Sequence, residues 1–173
     1  MKINEVIKKD INNIVWYHGS KNKFDFFSPE FADKEEAFMK EGPGYYLTTD
    51  EKDALTYGPN ILKFRVNVKK LVSLTKPPKP VIVQALIKNS PKLKFNLENW
   101  GENPAQAFRE AFSVMMQRGS EKEVFEQVWY DFYKDDAVKW MNNLVSFGYT
   151  GLLIPRVDLY HFILYDLTAL TKV

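Results

Sequence analysis

Hydrophobic positions along the chain recur at two spacings, and the switches between them mark where elements begin and end. Ile3, Val6, Ile7, Ile11 and Ile14 fall three or four residues apart, which predicts an amphipathic helix at the start. IVWYHGS (14–20) then reads as a short strand leaving on a Gly-Ser turn. The loop KFDFFSPEF (23–31) gathers several Phe around a Pro, a composition that favours packing over ligand contact. Gly42 and Gly44 bracket Pro43 ahead of a strand YYLT, and Thr49 or Asp50 can cap a helix that stops before Gly58. ILKFRVNV (61–68) alternates apolar and polar residues as a half-buried strand does. TKPPKP (75–80) reads as a stiff surface loop, and VIVQALI (81–87) is a short apolar run that fits strand or helix equally.

The middle of the chain carries the helical period. Asn103 and Pro104 open one helix that buries Ala107, Phe108, Ala111, Phe112, Met115 and Met116 and stops at Gly119. Ser120 and Glu123 form a capping-box pattern for a second, with Val124, Phe125, Val128, Trp129 and Phe132 inward. A third carries Trp140, Met141, Leu144 and Val145 and ends near Gly148. These Met and aromatic stripes are core faces before they are cofactor contacts. The tail, GLLIP (151–155) and LYHFILYD (159–166), returns to strands. Strands before and after a block of helices predict an α+β domain spanning 1–173, with a helical insert over about 100–147.

Composition narrows the chemistry. The 173 residues are 45% hydrophobic and 15% aromatic, enough for one proper core. No cysteine is present, which excludes disulfides, thiolate metal sites and cysteine nucleophiles and fits a reducing, cytoplasmic setting. Two histidines are few for a resident transition metal, and the N-terminus is too interrupted by charge for a signal core or membrane span, so neither a metal nor a membrane is expected. The net charge of +2 hides an uneven distribution: Ala54 to Leu97 holds nine Lys or Arg and no acid, while Glu98 to Asp136 is net acidic. The basic window is a solvated face or a surface that attracts an anionic partner.

Both histidines, His18 and His161, sit in apolar, strand-like runs, where a satisfied core role competes with a functional one. No phosphate-cradling GxxxxGK[ST] loop, HExxH helix or dinucleotide fingerprint occurs.

Three segments in order, YHGS at Tyr17 to Ser20, GPGYYLTTDEKDALTYG at Gly42 to Gly58, and LYHFILYD at Leu159 to Asp166, resemble the signature segments of the diphtheria-toxin-like and poly(ADP-ribose)-polymerase-like ADP-ribosyltransferases. The spacing from Tyr46 to Tyr57 keeps that family's register, and FGYTGLLIP (147–155) is similar to its phage and polyvalent-protein branch. The resemblance implies two small, mostly antiparallel sheets around an NAD cleft, and NAD as a substrate with no metal. It implies Tyr46 and Tyr57 on either side of the nicotinamide, the Gly19 backbone at the carboxamide, His18 and Ser20 at the adenosine ribose, and Gly44 keeping the strand entrance clear. His18, Tyr46 and His161 would carry catalysis. His161 stands where the family places a Glu that supports an oxocarbenium-like transition state. Neutral imidazole brings no negative charge, which disfavours chain elongation and leaves mono-ADP-ribosylation, with Asp158 or the more distant Glu41 as candidate substitutes for the carboxylate. The expected acceptor is a protein, with a nucleic acid as the alternative. A silent NAD-binding module and a phage-type protein inhibitor that docks through the basic window at Lys69 and Lys70 stay open beside the enzyme reading.

Overall fold

The alternating segments become strands where the pattern places them. In the computed structural model, which describes residues 10–28, 44–72, 79–89 and 137–173, β1 is Trp16–Ser20, β2 Tyr45–Thr48, α1 Glu51–Leu55, β3 Asn60–Val66, β4 Leu71–Val72, α2 Pro80–Asn89, α3 Ala137–Ser146, β5 Gly151–Pro155, β6 Tyr160–Leu164 and β7 Leu170–Lys172. Short 3₁₀ turns at Ile11–Asn13 and Leu167–Ala169 precede β1 and β7. The class is α+β. The expected helices over 103–119 and 120–132, Glu41, and the first nine residues lie outside the described residues; the helix expected through Ile14 stops earlier, with Ile11 in a 3₁₀ turn and Ile14 extended, and both pack against the core. VIVQALI belongs to a helix, α2, which packs against α3.

The strands correct the expectation of two separate sheets. They form one hydrogen-bonded order, β4-β5-β6-β2-β1-β3-β7, antiparallel throughout except for the β4–β5 pair. Pairing strength along that order is uneven. β1 runs beside β3 through five registered pairs, Trp16↔Phe64 to Ser20↔Asn60, and β2 beside β6 through four, Tyr45↔Leu164 to Thr48↔His161. Between β1 and β2, at the centre, there is one pair, Tyr17↔Thr48. Two half-sheets are therefore joined at a single bridge, and the strands part beyond it.

The period of two assigns side chains to faces. Trp16, Leu47, Phe64 and Phe162 share one face and are almost wholly buried, with the Trp16 and Phe162 rings 5.2 Å apart. Phe27 extends this layer from the loop, 4.9 Å from Tyr45 and 5.4 Å from Phe64 between ring centroids, so it packs as the sequence indicates, whereas Phe26 is exposed and Phe31 lies outside the described residues. The opposite face carries Tyr17, Gly19, Tyr46, Thr48 and His161, and α1 lies across it.

Three residues before and at the start of α1 fix its position. Thr49 N–H donates to Tyr160 O and Thr49 Oγ1 accepts from Tyr160 N–H, both at 3.0 Å, clamping the end of β2 to the start of β6. Asp50, in extended conformation, caps the helix by accepting from Lys52 N–H at 2.7 Å. Glu51 then meets Lys63 of β3 at 3.1 Å, an exposed pair of small energetic weight. The helix rests directly on β1 because Gly19 has no side chain: a Cβ there would sit 1.8 Å from the carbonyl oxygen of Ala54. Since that obstacle is backbone, Gly19→Ala must displace α1 or β1, and the expected cost is about 3 kcal/mol. The measurement is a lower urea midpoint at unchanged slope.

Candidate functional site

A small, open cleft lies where β1 and β2 part, lined by Tyr17, His18, Gly19, Tyr46, Leu47, Thr48, Asp53, Ala54, Tyr57 and His161. Five of the residues expected from the sequence, His18, Gly19, Tyr46, Tyr57 and His161, come together here from β1, β2, the end of α1 and β6. Two others are not in the lining. Gly44 lies ahead of β2 against Ile163 and Leu164, and the Ser20 hydroxyl closes a local turn by accepting from Asn22 N–H at 3.1 Å.

His18 stitches the split. Its face, shared with Trp16, turns the ring toward Phe27 and Phe24, which meet it edge-on at 4.8 and 5.7 Å between centroids. Nδ1 lies 2.8 Å from Tyr46 O, and since a carbonyl can only accept, Nδ1 carries the proton and donates. The side chain thus satisfies a β2 carbonyl that no longer has a strand partner on that side. Nε2 is left as an acceptor, and His18 is among the residues that line the cleft. Burial holds the pKa of His18 below its ordinary value near 6.5, against the smaller opposing pull of the Tyr46 carbonyl.

His161 is held from both sides. Nε2 lies 3.0 Å from Asp53 Oδ2, and Arg156 Nε donates to Nδ1 at 3.4 Å. Guanidinium has donors and no acceptor, so Nδ1 must offer its lone pair and Nε2 must carry the hydrogen toward Asp53. The imidazole is therefore neutral in this arrangement, a bridge between Arg156 on the β5–β6 turn and Asp53 on α1. Its side chain is 13% exposed and that of Asp53 24%.

Asp53 is the site residue that sequence reasoning missed. The substitutes weighed for the carboxylate were Asp158 and Glu41; Asp158 is exposed on the β5–β6 turn and does not line the cleft. The signal for Asp53 was present, since it precedes Tyr57 by four residues, the spacing that puts two side chains on one helical face. As an acid in the first turn it had a sufficient local explanation. Tyr57 is 40% exposed at the rim, and its hydroxyl pKa is raised by burial and by the Asp53 charge beside it.

The basic window has a partly internal use. Lys70 Nζ donates to Phe147 O at 3.2 Å and sits 3.8 Å from the centre of the Tyr149 ring, while the backbone N–H of Lys69 donates to the buried Thr150 hydroxyl at 2.9 Å. Among the described residues no cluster of three or more His, Cys, Asp or Glu could hold a metal ion, and no helix is long and apolar enough to cross a membrane.

No family model and no curated protein matches the chain. A solved structure described as the crystal structure of an anti-CRISPR protein is similar at 13% identity with a TM-score of 0.39, over 92% of this chain and 94% of that one.

The state of His18 has a measurable consequence. The unfolded imidazole takes up a proton near pH 6.5 and the folded one resists it, so the folded chain binds fewer protons as the pH falls. This contribution is flat above about pH 7.5 and destabilises progressively below about pH 6.5, until the folded group also titrates. Urea titrations are expected to show wild type losing more stability than His18→Gln between about pH 7.5 and 5.5. Equal losses would place the protonation elsewhere.

Proposed function

We propose that this chain is a mono-ADP-ribosyltransferase that moves ADP-ribose from NAD to a macromolecular acceptor, a protein by preference and a nucleic acid as the alternative. One observation carries the reading: residues from all three segments that resemble the transferase signatures line a single cleft at the split in the sheet.

The lining fits the nicotinamide half of such a substrate. Tyr46 and Tyr57 offer flat, polar-tipped rings to a planar heteroaromatic. Gly19 brings main chain rather than a side chain to the cleft wall. His18 Nε2 offers an acceptor to a hydroxyl.

In the reaction the bond from ribose C1′ to the pyridinium nitrogen breaks with its electron pair going to nicotinamide, which leaves neutral. A lone pair of the acceptor closes the new bond to C1′, and any proton the acceptor carried passes to solvent. The tyrosines hold the leaving ring, and the cleft walls around it hold the ribose in one orientation, so positioning supplies much of the rate.

A second reading, a module that binds NAD without turnover, is favoured by the neutral His161 in place of a Glu. Both bind NAD, and only the transferase goes on to break it. With adenylate-labelled NAD in a bacterial lysate, wild type is expected to place label on a macromolecular fraction, and Tyr57→Ala to lower kcat/KM about tenfold through lost ring stacking. Thermal protection by NAD with no label and no free nicotinamide, from folded protein, would establish the silent module instead.

A further inference from the structure

We infer that Asp53, on α1, is the catalytic carboxylate of the cleft, and that His161 is the positioning residue that aims it. The inference rests on the reading of the cleft as an NAD site.

The hydrogen-bond inventory separates the two roles. Both ring nitrogens of His161 are engaged by protein groups, Nε2–H with Asp53 Oδ2 at 3.0 Å and Nδ1 with Arg156 Nε at 3.4 Å. A neutral imidazole with both nitrogens used has neither a charge nor a lone pair to give a substrate. Asp53 is in the opposite position. One carboxylate oxygen takes the His161 hydrogen, while Oδ1 makes no hydrogen bond among the described residues, and the side chain lines the cleft. A carboxylate has about four acceptor sites, so the bond to His161 fixes its direction without using up its capacity.

Its neighbours say what that free oxygen meets. Tyr57, four residues on, lines the same cleft, and Asp53 is close enough to raise its hydroxyl pKa. If Tyr57 holds the nicotinamide ring, the adjoining ribose falls beside Asp53. There the carboxylate can accept a ribose hydroxyl and oppose the positive charge that grows on C1′ as the ring departs. A preorganised charge in a partly desolvated wall contributes most when the charge it opposes appears only in the transition state. The thermodynamic work expected of a Glu on β6 is thus done from α1, with the strand supplying the aim.

The test moves the carboxylate. Nicotinamide release from NAD is measured in the lysate that supports labelling, with folding of each variant checked by thermal unfolding and NAD binding by its thermal shift. Asp53→Asn is expected to lower kcat about 100-fold while NAD still protects. His161→Gln, whose amide can still donate to Asp53, is expected to keep most of the rate, and His161→Ala to lose it in part. The double variant Asp53→Asn with His161→Glu returns a carboxylate from the strand side and is expected to recover to within about tenfold of wild type. A purely structural Asp53 would not be rescued by a charge on another element, and the double variant also reports if Asp53→Asn alone folds poorly. Asp53→Asn within about threefold of wild type would overturn the assignment and leave the transferase reading standing. So would loss in the double variant as deep as in the single one. A folded wild type that releases no nicotinamide would remove both.

Discussion

The single bridge between β1 and β2 is the constraint on which the rest of the architecture depends. Each of these central strands is well paired on its outer side, β1 with β3 and β2 with β6, and the two meet at Tyr17↔Thr48 and then diverge. A fully zipped ladder would set Tyr46 opposite Gly19 and close the cleft. Parting leaves main-chain groups without ladder partners, a state that costs free energy unless something else satisfies them. At Tyr46 O the substitute is the His18 imidazole, whose 2.8 Å bond spans the gap with a side chain where a strand would have used its backbone. His18 is thus structural at Nδ1 and available at Nε2, and a packing role and a ligand role do not compete for it.

Position on the other side of the cleft is set by short-range chemistry with a long reach. Thr49 fastens the end of β2 to Tyr160, one residue before His161, and Asp50 immediately starts α1. With its start fixed at β6 and its middle resting on Gly19 of β1, the helix has little freedom to shift. Asp53 consequently arrives within hydrogen-bond distance of His161, 108 residues away in sequence. Two consecutive small polar residues and one glycine accomplish this, and none of them needs to touch a ligand.

What the sequence made legible was the local layer. Alternation located β3, short apolar runs bounded by turn residues located β1, β2 and β6, the choice of Thr49 or Asp50 as cap resolved to Asp50, and α3 ends near Gly148 as expected. VIVQALI stayed ambiguous because seven residues, six of them apolar, are too short a run to show a period; its packing against α3 accompanies a helix. Strand partnership was illegible for a different reason. Periodicity tells which side chains share a face and is silent on where a ladder stops, so two half-sheets joined at one bridge and two separate sheets leave the same pattern. Asp53 was masked by sufficiency: an acid in the first turn of a helix already has a favourable interaction with its N-terminus, and nothing local asks for another. Its tie to His161 is purely tertiary.

The order of charges across the cleft wall, Asp53, neutral His161, Arg156, gives the carboxylate a mechanical advantage it would lack on the strand. On β6 a carboxylate would be fixed to the sheet while Tyr57, which the proposed reaction sets against the nicotinamide ring, follows α1, and any shift of the helix would separate the two. Asp53 on α1 and Tyr57, two residues past its end, are four residues apart on one stretch of chain. The imidazole then needs to fix one orientation, and Arg156 fixes the imidazole's tautomer by claiming Nδ1.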